Sequence, residues 1–162
     1  MAQKRISKIS YKGGDNGAAI SFEEIINDKN TKDTIFKSVE EPHADFKNAL
    51  QNLCTAVYEI LLFPKEYAEE AMRITSVSYS YNEDADVKGA VITGLITLET
   101  SAAPFCFNTP HLAYSAYSES NTSPTMPEMA INLLEKLEEE ALEYVNGKRS
   151  QMAFDFAGQV AA

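Results

Sequence analysis

The chain has 162 residues, 44% hydrophobic and 23% charged, with 14 basic and 24 acidic side chains and a formal net charge of −10. One globular domain is expected at that length and balance. The apolar stretches fall well short of the roughly 18 residues that a membrane span needs, which excludes a transmembrane helix.

Residues 4–11 and 18–25 read as short strands. Between them, Lys12-Gly13-Gly14-Asp15-Asn16-Gly17 supplies the glycines, Asp and Asn that a hairpin loop needs. Residues 27–33 form a polar turn, and Thr34–Val39 reads as a third strand. Pro42 is expected to open a helix, since its missing N–H is tolerated in a first turn. Phe46, Leu50, Leu53, Val57 and Ile60 then make a helical core stripe, which Pro64 ends. Residues 65–72 are read as a further short helical turn. Ile74–Tyr81 alternates, with Val77, Tyr79 and Tyr81 on one face and Ser76, Ser78 and Ser80 on the other, which predicts a half-buried strand. Asn82–Asp86 is an acidic turn. Val87–Glu99 is a longer strand in which Gly89 and Gly94 each mark a bulge, a bend or a close approach. Pro104–Asn108 is a short strand, and the Tyr- and Ser-rich residues 113–124 read as a loop. Thr125 and Glu128 have capping-box spacing at the start of the last helix. Its buried stripe is Ala130, Leu133, Leu134, Leu137, Ala141 and Tyr144, and Gly147 is the expected stop. The order β-β-β-α-β-β-β-α predicts an α+β domain: an antiparallel sheet of about six short strands with two main helices on one face. The domain is expected over residues 1–147, with a tail at 148–162.

The charge is uneven. Residues 1–81 carry 10 basic and 12 acidic side chains, a net of −2, and residues 82–162 carry 4 and 12, a net of −8. Affinity for duplex DNA comes from Lys and Arg neutralising phosphates. Direct duplex binding is therefore not expected of the C-terminal half, while Lys4, Arg5, Lys8 and Lys12 leave room for a local basic patch. Cys54 and Cys106 both read as small buried hydrophobes, with no disulfide framework. No apolar run follows Met1-Ala2-Gln3-Lys4-Arg5, so no signal peptide is read and a cytoplasmic location is expected.

Catalytic and metal signatures are weak. His43 and His111 lack the paired spacings of a zinc site, and the 82–86 turn lacks the glycine and the distant Glu of a calcium loop. Lys12-Gly13-Gly14 does not fit a phosphate-loop frame, and GxSxG is missing. No enzyme activity, metal or cofactor is expected. The candidate ligand-binding residues are His111, Asn108, Tyr79 and Tyr81. Tyr79 and Tyr81, with Tyr114 and Tyr117, are candidates for a stacking surface, against ordinary sheet packing as the alternative.

The tail carries the sharpest motif. Gln151-Met152-Ala153-Phe154-Asp155-Phe156 resembles the glutamine-led hexapeptide by which DNA polymerases, mismatch-repair proteins and phage replication accessories dock on a bacterial sliding clamp. In that mode Gln151 fixes register, Met152 enters the first subsite, and Phe154 and Phe156 fill pockets as anchors. The alternative is a short edge strand packed on its own domain. The chain as a whole resembles a family of small, uncharacterised phage and prophage proteins. That resemblance is carried by Ile6-Ser7-Lys8-Ile9-Ser10-Tyr11, by Phe107-Asn108-Thr109-Pro110-His111 and by the closing helix with its tail. It implies a setting among replication and recombination functions and a host-cytoplasmic location, with no activity to carry over. The tail departs from the common form, which ends Leu-Phe after the glutamine. The expectation is a non-enzymatic accessory docked on the host clamp or another protein, with no membrane partner. The alternative is an acidic inhibitor of a host defence or nucleic-acid enzyme.

Overall fold

Alternating apolar residues build a sheet, and two apolar helical stripes cover one of its faces. The structure is a computed structural model that describes residues 3–13, 17–63, 71–82, 86–116, 118–120 and 123–149. Among the described residues the strands are β1 (Gln3–Tyr11), β2 (Ala18–Asn27), β3 (Asn30–Ser38), β4 (Met72–Asn82), β5 (Val87–Ile96), β6 (Phe105–Asn108) and β7 (Leu112–Ala113). Among the same residues the helices are α1 (Ala44–Gln51), α2 (Leu53–Leu61) and α3 (Glu128–Val145). The strands lie in the order β3-β2-β1-β4-β5-β6, with β7 also paired to β5, and every pairing is antiparallel. The fold is the expected α+β arrangement: a joined helix, α1–α2, and a C-terminal helix on an antiparallel sheet.

Side-chain alternation assigns the two faces. Ile9, Ile20, Val77, Tyr79, Ala90 and Ile92 point to the helices and are buried. They meet Phe46, Leu50, Leu53 and Val57 from α1–α2 and Leu134, Leu137, Ala141 and Tyr144 from α3 in one core. Fully burying such an apolar side chain is worth about 1.5–3 kcal/mol, so this layer contact is the main stabilising term.

Several boundaries differ from the sequence reading, each for a local reason. The Asn27 side chain accepts hydrogen bonds from the amides of Lys29 and Asn30 at 2.9 and 3.0 Å. That tight Asx turn lets β3 begin at Asn30 and not at Thr34. The first helix is capped by His43, whose Nδ1 accepts from the Asp45 amide at 3.0 Å, and Pro42 precedes it. It divides at Asn52, where the backbone stays helical, so the core stripe continues. It ends at Leu62 in the left-handed conformation (φ 58°), before Pro64 is reached. The Thr125–Glu128 capping box does not form: Pro127 is the N-cap and no side chain caps the helix. The amide of Met126 instead donates to the carbonyl of Ala113 at 2.7 Å, which pins the helix start to β7. β7 overlaps the start of the expected 113–124 loop, at Ala113. Cys106 is exposed, because Phe107 points to the core and alternation turns Cys106 away. Cys54 is buried as expected, and burial raises its thiol pKa to about 11. The predicted helical turn at 65–72 and the centre of the 82–86 turn fall largely outside the described residues.

Two glycines close the frame. Gly17 has φ +65°, and a Cβ there would lie 1.8 Å from the Ser38 carbonyl oxygen. Gly147 has φ +112°. Its amide bonds to Tyr144 O at 3.1 Å and that of Lys148 to Glu143 O at 2.9 Å, the paired C-terminal pattern of a left-handed helix stop. Packing continues two residues further. Lys148 reaches Asp45, Glu140 and Glu143 at 3.0, 3.1 and 3.2 Å. These carboxylates, the Asp45 hydrogen bond first, raise the pKa of the Lys148 ammonium. Arg149 lies 3.8 Å from the Tyr144 ring centroid and bonds Glu40 at 3.0 Å. Both cations also sit favourably at the negative end of α3.

Leu137→Ala, which empties a fully buried position on α3, is expected to cost about 3 kcal/mol by urea unfolding; a loss below about 1 kcal/mol would mean that α3 is not the core helix. A chain ending at Arg149 should melt within a few degrees of the full chain, whereas one ending at Gly147 should lose roughly 5 °C. Calorimetry of the two truncations checks both statements.

Candidate functional site

The segment Phe107-Asn108-Thr109-Pro110-His111 forms a corner between β6 and β7, both of which pair with β5. Each of four side chains in it has a structural partner. Phe107 lies over Gly94, where a Cβ would be 2.7 Å from its ring, and packs edge-on against Phe63 with centroids 6.1 Å apart. Asn108 accepts a hydrogen bond from the Thr93 hydroxyl. Thr109 is buried, and its hydroxyl accepts from the Ile92 amide at 2.9 Å while its own amide donates to the Ile92 carbonyl at 2.9 Å. His111 Nε2 lies 2.6 Å from the Ser80 hydroxyl. It rests over Gly89, where a Cβ would be 2.5 Å away. The corner is a clip across β5, and the two strand glycines make room for its rings.

The structure separates the four candidate ligand residues. Tyr79 pairs in register with Ala90 and Tyr81 with Lys88, on the helix-covered face. His111 and Asn108 meet Ser80 and Thr93 on the opposite face. Tyr79 donates to the Leu134 carbonyl at 3.2 Å and Tyr81 to the Ile6 carbonyl at 2.8 Å. The chain's own cations cover the tyrosine rings. The Lys88 ammonium lies 5.1, 5.5 and 5.8 Å from the centroids of Tyr79, Tyr81 and Tyr114, and the Arg5 guanidinium 4.3 Å from that of Tyr81. Lys88 is ion-paired to Glu138 of α3, and Arg5 to Glu23 at 2.7 Å. Tyr79, Tyr81 and Tyr114, candidates for a stacking surface, thus form a packed cation–π cluster, in line with the sheet-packing alternative. Tyr117 and the tail residues Gln151, Met152, Phe154 and Phe156 lie outside the described residues.

Ser80 is the residue that sequence reading missed. A serine beside a histidine is the start of a nucleophile–base pair, but activation also requires a group that orients the imidazole. Among the described residues His111 has no carboxylate partner, and no group of His, Cys, Asp and Glu side chains is arranged to hold a metal. The pair ties the corner to β4. Nothing in the local sequence signals it, because Ser80 and His111 are 31 residues apart and meet only through the register of β4, β5 and β7. Comparison with protein-family models, curated proteins and solved structures gave no match.

Burial, reinforced by Glu138, raises the phenol pKa values of Tyr79, Tyr81 and Tyr114, that of Tyr81 to about 12. The neutral phenol is the form the fold favours. Its contribution is therefore complete below the ordinary tyrosine pKa near 10 and is lost as pH rises through the raised values. The three tyrosines should ionise only together with alkaline unfolding. Ultraviolet titration followed alongside circular dichroism checks this; tyrosinate from all eight tyrosines in a still-folded chain would contradict it.

Proposed function

We propose that this protein is a non-enzymatic accessory of phage-type DNA replication or recombination, docked on the host sliding clamp through residues 151–156. The observation that carries the reading is the glutamine-led hexapeptide itself, set two residues beyond an anchored point of the body. Among the described residues, buried hydrophobic residues run from Ile6 to Tyr144. Arg149, clamped on Tyr144 and Glu40, is the last described residue, two positions before Gln151. The hexapeptide therefore begins two residues beyond an anchored point. In the proposed mode Gln151 fixes register by hydrogen bonding, Met152 fills a shallow subsite, and Phe154 and Phe156 supply the apolar burial.

The acidic-inhibitor alternative draws less support. Imitation of a phosphate backbone needs free, regularly spaced carboxylates. On α3, Glu138 is paired with Lys88, Glu139 and Glu140 with Lys136, and Glu140 and Glu143 with Lys148.

A synthetic peptide covering residues 148–158 should bind a bacterial sliding clamp with a dissociation constant on the order of micromolar, as a segment that must order on binding would. Phe156→Ala should weaken it most, by about 2 kcal/mol, and Gln151→Ala by about 1 kcal/mol. Asp155→Ala should change little, because alternation turns it from the anchors. Fluorescence anisotropy against the clamp decides the matter. No binding at about 100 μM, well above the expected range, would sink the reading.

A further inference from the structure

Half of the 14 cations of this acidic chain are spent on carboxylates. Lys4, Arg5, Lys47, Lys88, Lys136, Lys148 and Arg149 each form an ion pair. Lys8, Lys12, Lys29, Lys32, Lys37 and Arg73 form none among the described residues, and of these Lys12, Lys37 and Arg73 border hollows at one end of the sheet. Of the residues that left room for a basic patch, Lys4 and Arg5 are neutralised by Glu24 and Glu23, and Lys12 is joined by cations distant in sequence.

The register of β1 and β4 makes the hollow. β1 pairs with β4 only as far as Ser10 opposite Ser76, then leaves through Tyr11, Lys12 and Gly13. β4 begins earlier, at Met72, so its first residues have no β1 neighbour. The Gln51 amide of α1 fills in for that neighbour, donating to the Met72 carbonyl at 2.8 Å and accepting from the Ile74 amide at 3.4 Å. A notch of about 280 Å³ is left between Tyr11–Gly13, α1 and the start of β4. Tyr11, Leu50 and Ile74 give it apolar walls, and Lys12, Lys47 and Arg73 supply cations. Arg73 reaches across to within 3.5 Å of where a Gly13 Cβ would stand. The exposed amide of Asn48 also borders the notch.

We propose that this notch binds a phosphomonoester carrying a flat apolar body, of the mononucleotide class. A phosphate monoester carries a charge of about −1.5 to −2 at neutral pH, which matches the two cations there that have no carboxylate partner among the described residues, Lys12 and Arg73. Arg73 offers the planar fork suited to phosphate oxygens. The Tyr11, Leu50 and Ile74 surface accepts the base, and Asn48 offers both a donor and an acceptor to its edge. The volume lies near the lower end of the roughly 300–1,000 Å³ of small-molecule sites, which suits a monomer better than a polymer. The lining residues named here belong to the folded body and differ from the residues of the docking hexapeptide.

The test is isothermal titration of the full chain at low ionic strength with adenosine monophosphate, adenosine, inorganic phosphate and a short single-stranded oligonucleotide. Adenosine monophosphate should bind about tenfold or more tightly than either adenosine or phosphate, roughly the yield of one added ionic contact. Lys12→Gln and Arg73→Gln should each weaken it about fivefold or more. Lys29→Gln and Lys32→Gln, equal in charge change but on the β2–β3 hairpin, should leave it within about twofold, the scale expected of a screened distant charge. All four positions are exposed or half-exposed, and circular dichroism verifies that each variant folds. Phosphate binding as tightly as the nucleotide would overturn the proposal, as would an oligonucleotide binding more tightly. Equal losses from the hairpin and notch variants would also overturn it, since the effect would then be one of net charge.

Discussion

The Tyr144 side chain is the joint on which the two halves of the chain depend. Its hydroxyl donates to the carbonyl of Glu40 at 2.7 Å and approaches that of Ser38 at 3.3 Å, so the last helix holds the passage from β3 into α1. Its ring meets Phe46 at 5.7 Å and Phe36 at 6.0 Å between centroids, and Phe46 in turn meets Tyr11 at 6.1 Å. Such aromatic contacts add roughly 0.5–1.5 kcal/mol each beyond burial. They join strands β1 and β3, helix α1 and helix α3 at one point. Arg149 closes the ring from outside, so packing continues past the helix stop.

Strand β5 organises the other end of the molecule. One of its sides is held by β4 along its whole length, and the other is shared between β6 and β7. A shared edge needs a corner. Thr109 supplies it by exchanging two hydrogen bonds with Ile92 in the gap between the two short strands. Gly94 and Gly89 then admit Phe107 and His111 beside the backbone. A segment that reads as chemistry in one dimension, with Asn, Thr, Pro and His in succession, is spent on topology in three.

Much of the fold was legible because it rests on periodicity. The 4-3-4-3 stripe from Phe46 to Ile60 and the stripe from Ala130 to Tyr144 placed both helical layers, and the Val77-Tyr79-Tyr81 alternation placed the central strand. Single bonds moved the boundaries. The Asn27 side chain shortened a turn, and the Met126–Ala113 bond replaced a capping box that Thr125 and Glu128 spell correctly. The site was less legible because its partners are set by register. Tyr79 and His111 look alike as candidates in sequence, yet lie on opposite faces of one sheet. Ser80 and His111, or Lys12 and Arg73, become neighbours only when β4 is aligned against β5 and β1. Tail motifs are the reverse case: a docking hexapeptide is read in sequence order and needs no tertiary alignment.

Net charge is a poor guide to what such a surface attracts. The C-terminal half carries −8, yet on α3 the buried Glu140 lies between Lys136 at 3.2 Å and Lys148 at 3.1 Å, and Glu138 is held by Lys88. Charges consumed in this way stabilise the helix seat and present little field to a partner, since close opposite charges cancel within a Debye length of about 8–10 Å. The reverse holds where β1 leaves the sheet. Lys12, Lys37 and Arg73 are few, but with no carboxylate partner among the described residues their field is not cancelled locally. Walls of low polarity around the notch strengthen it further, because a charge beside apolar surface is less screened than one in open water. An acidic protein can therefore hold a cation-rich pocket, provided that its carboxylates are committed elsewhere, and the pairing pattern of this chain commits them to the seat of α3.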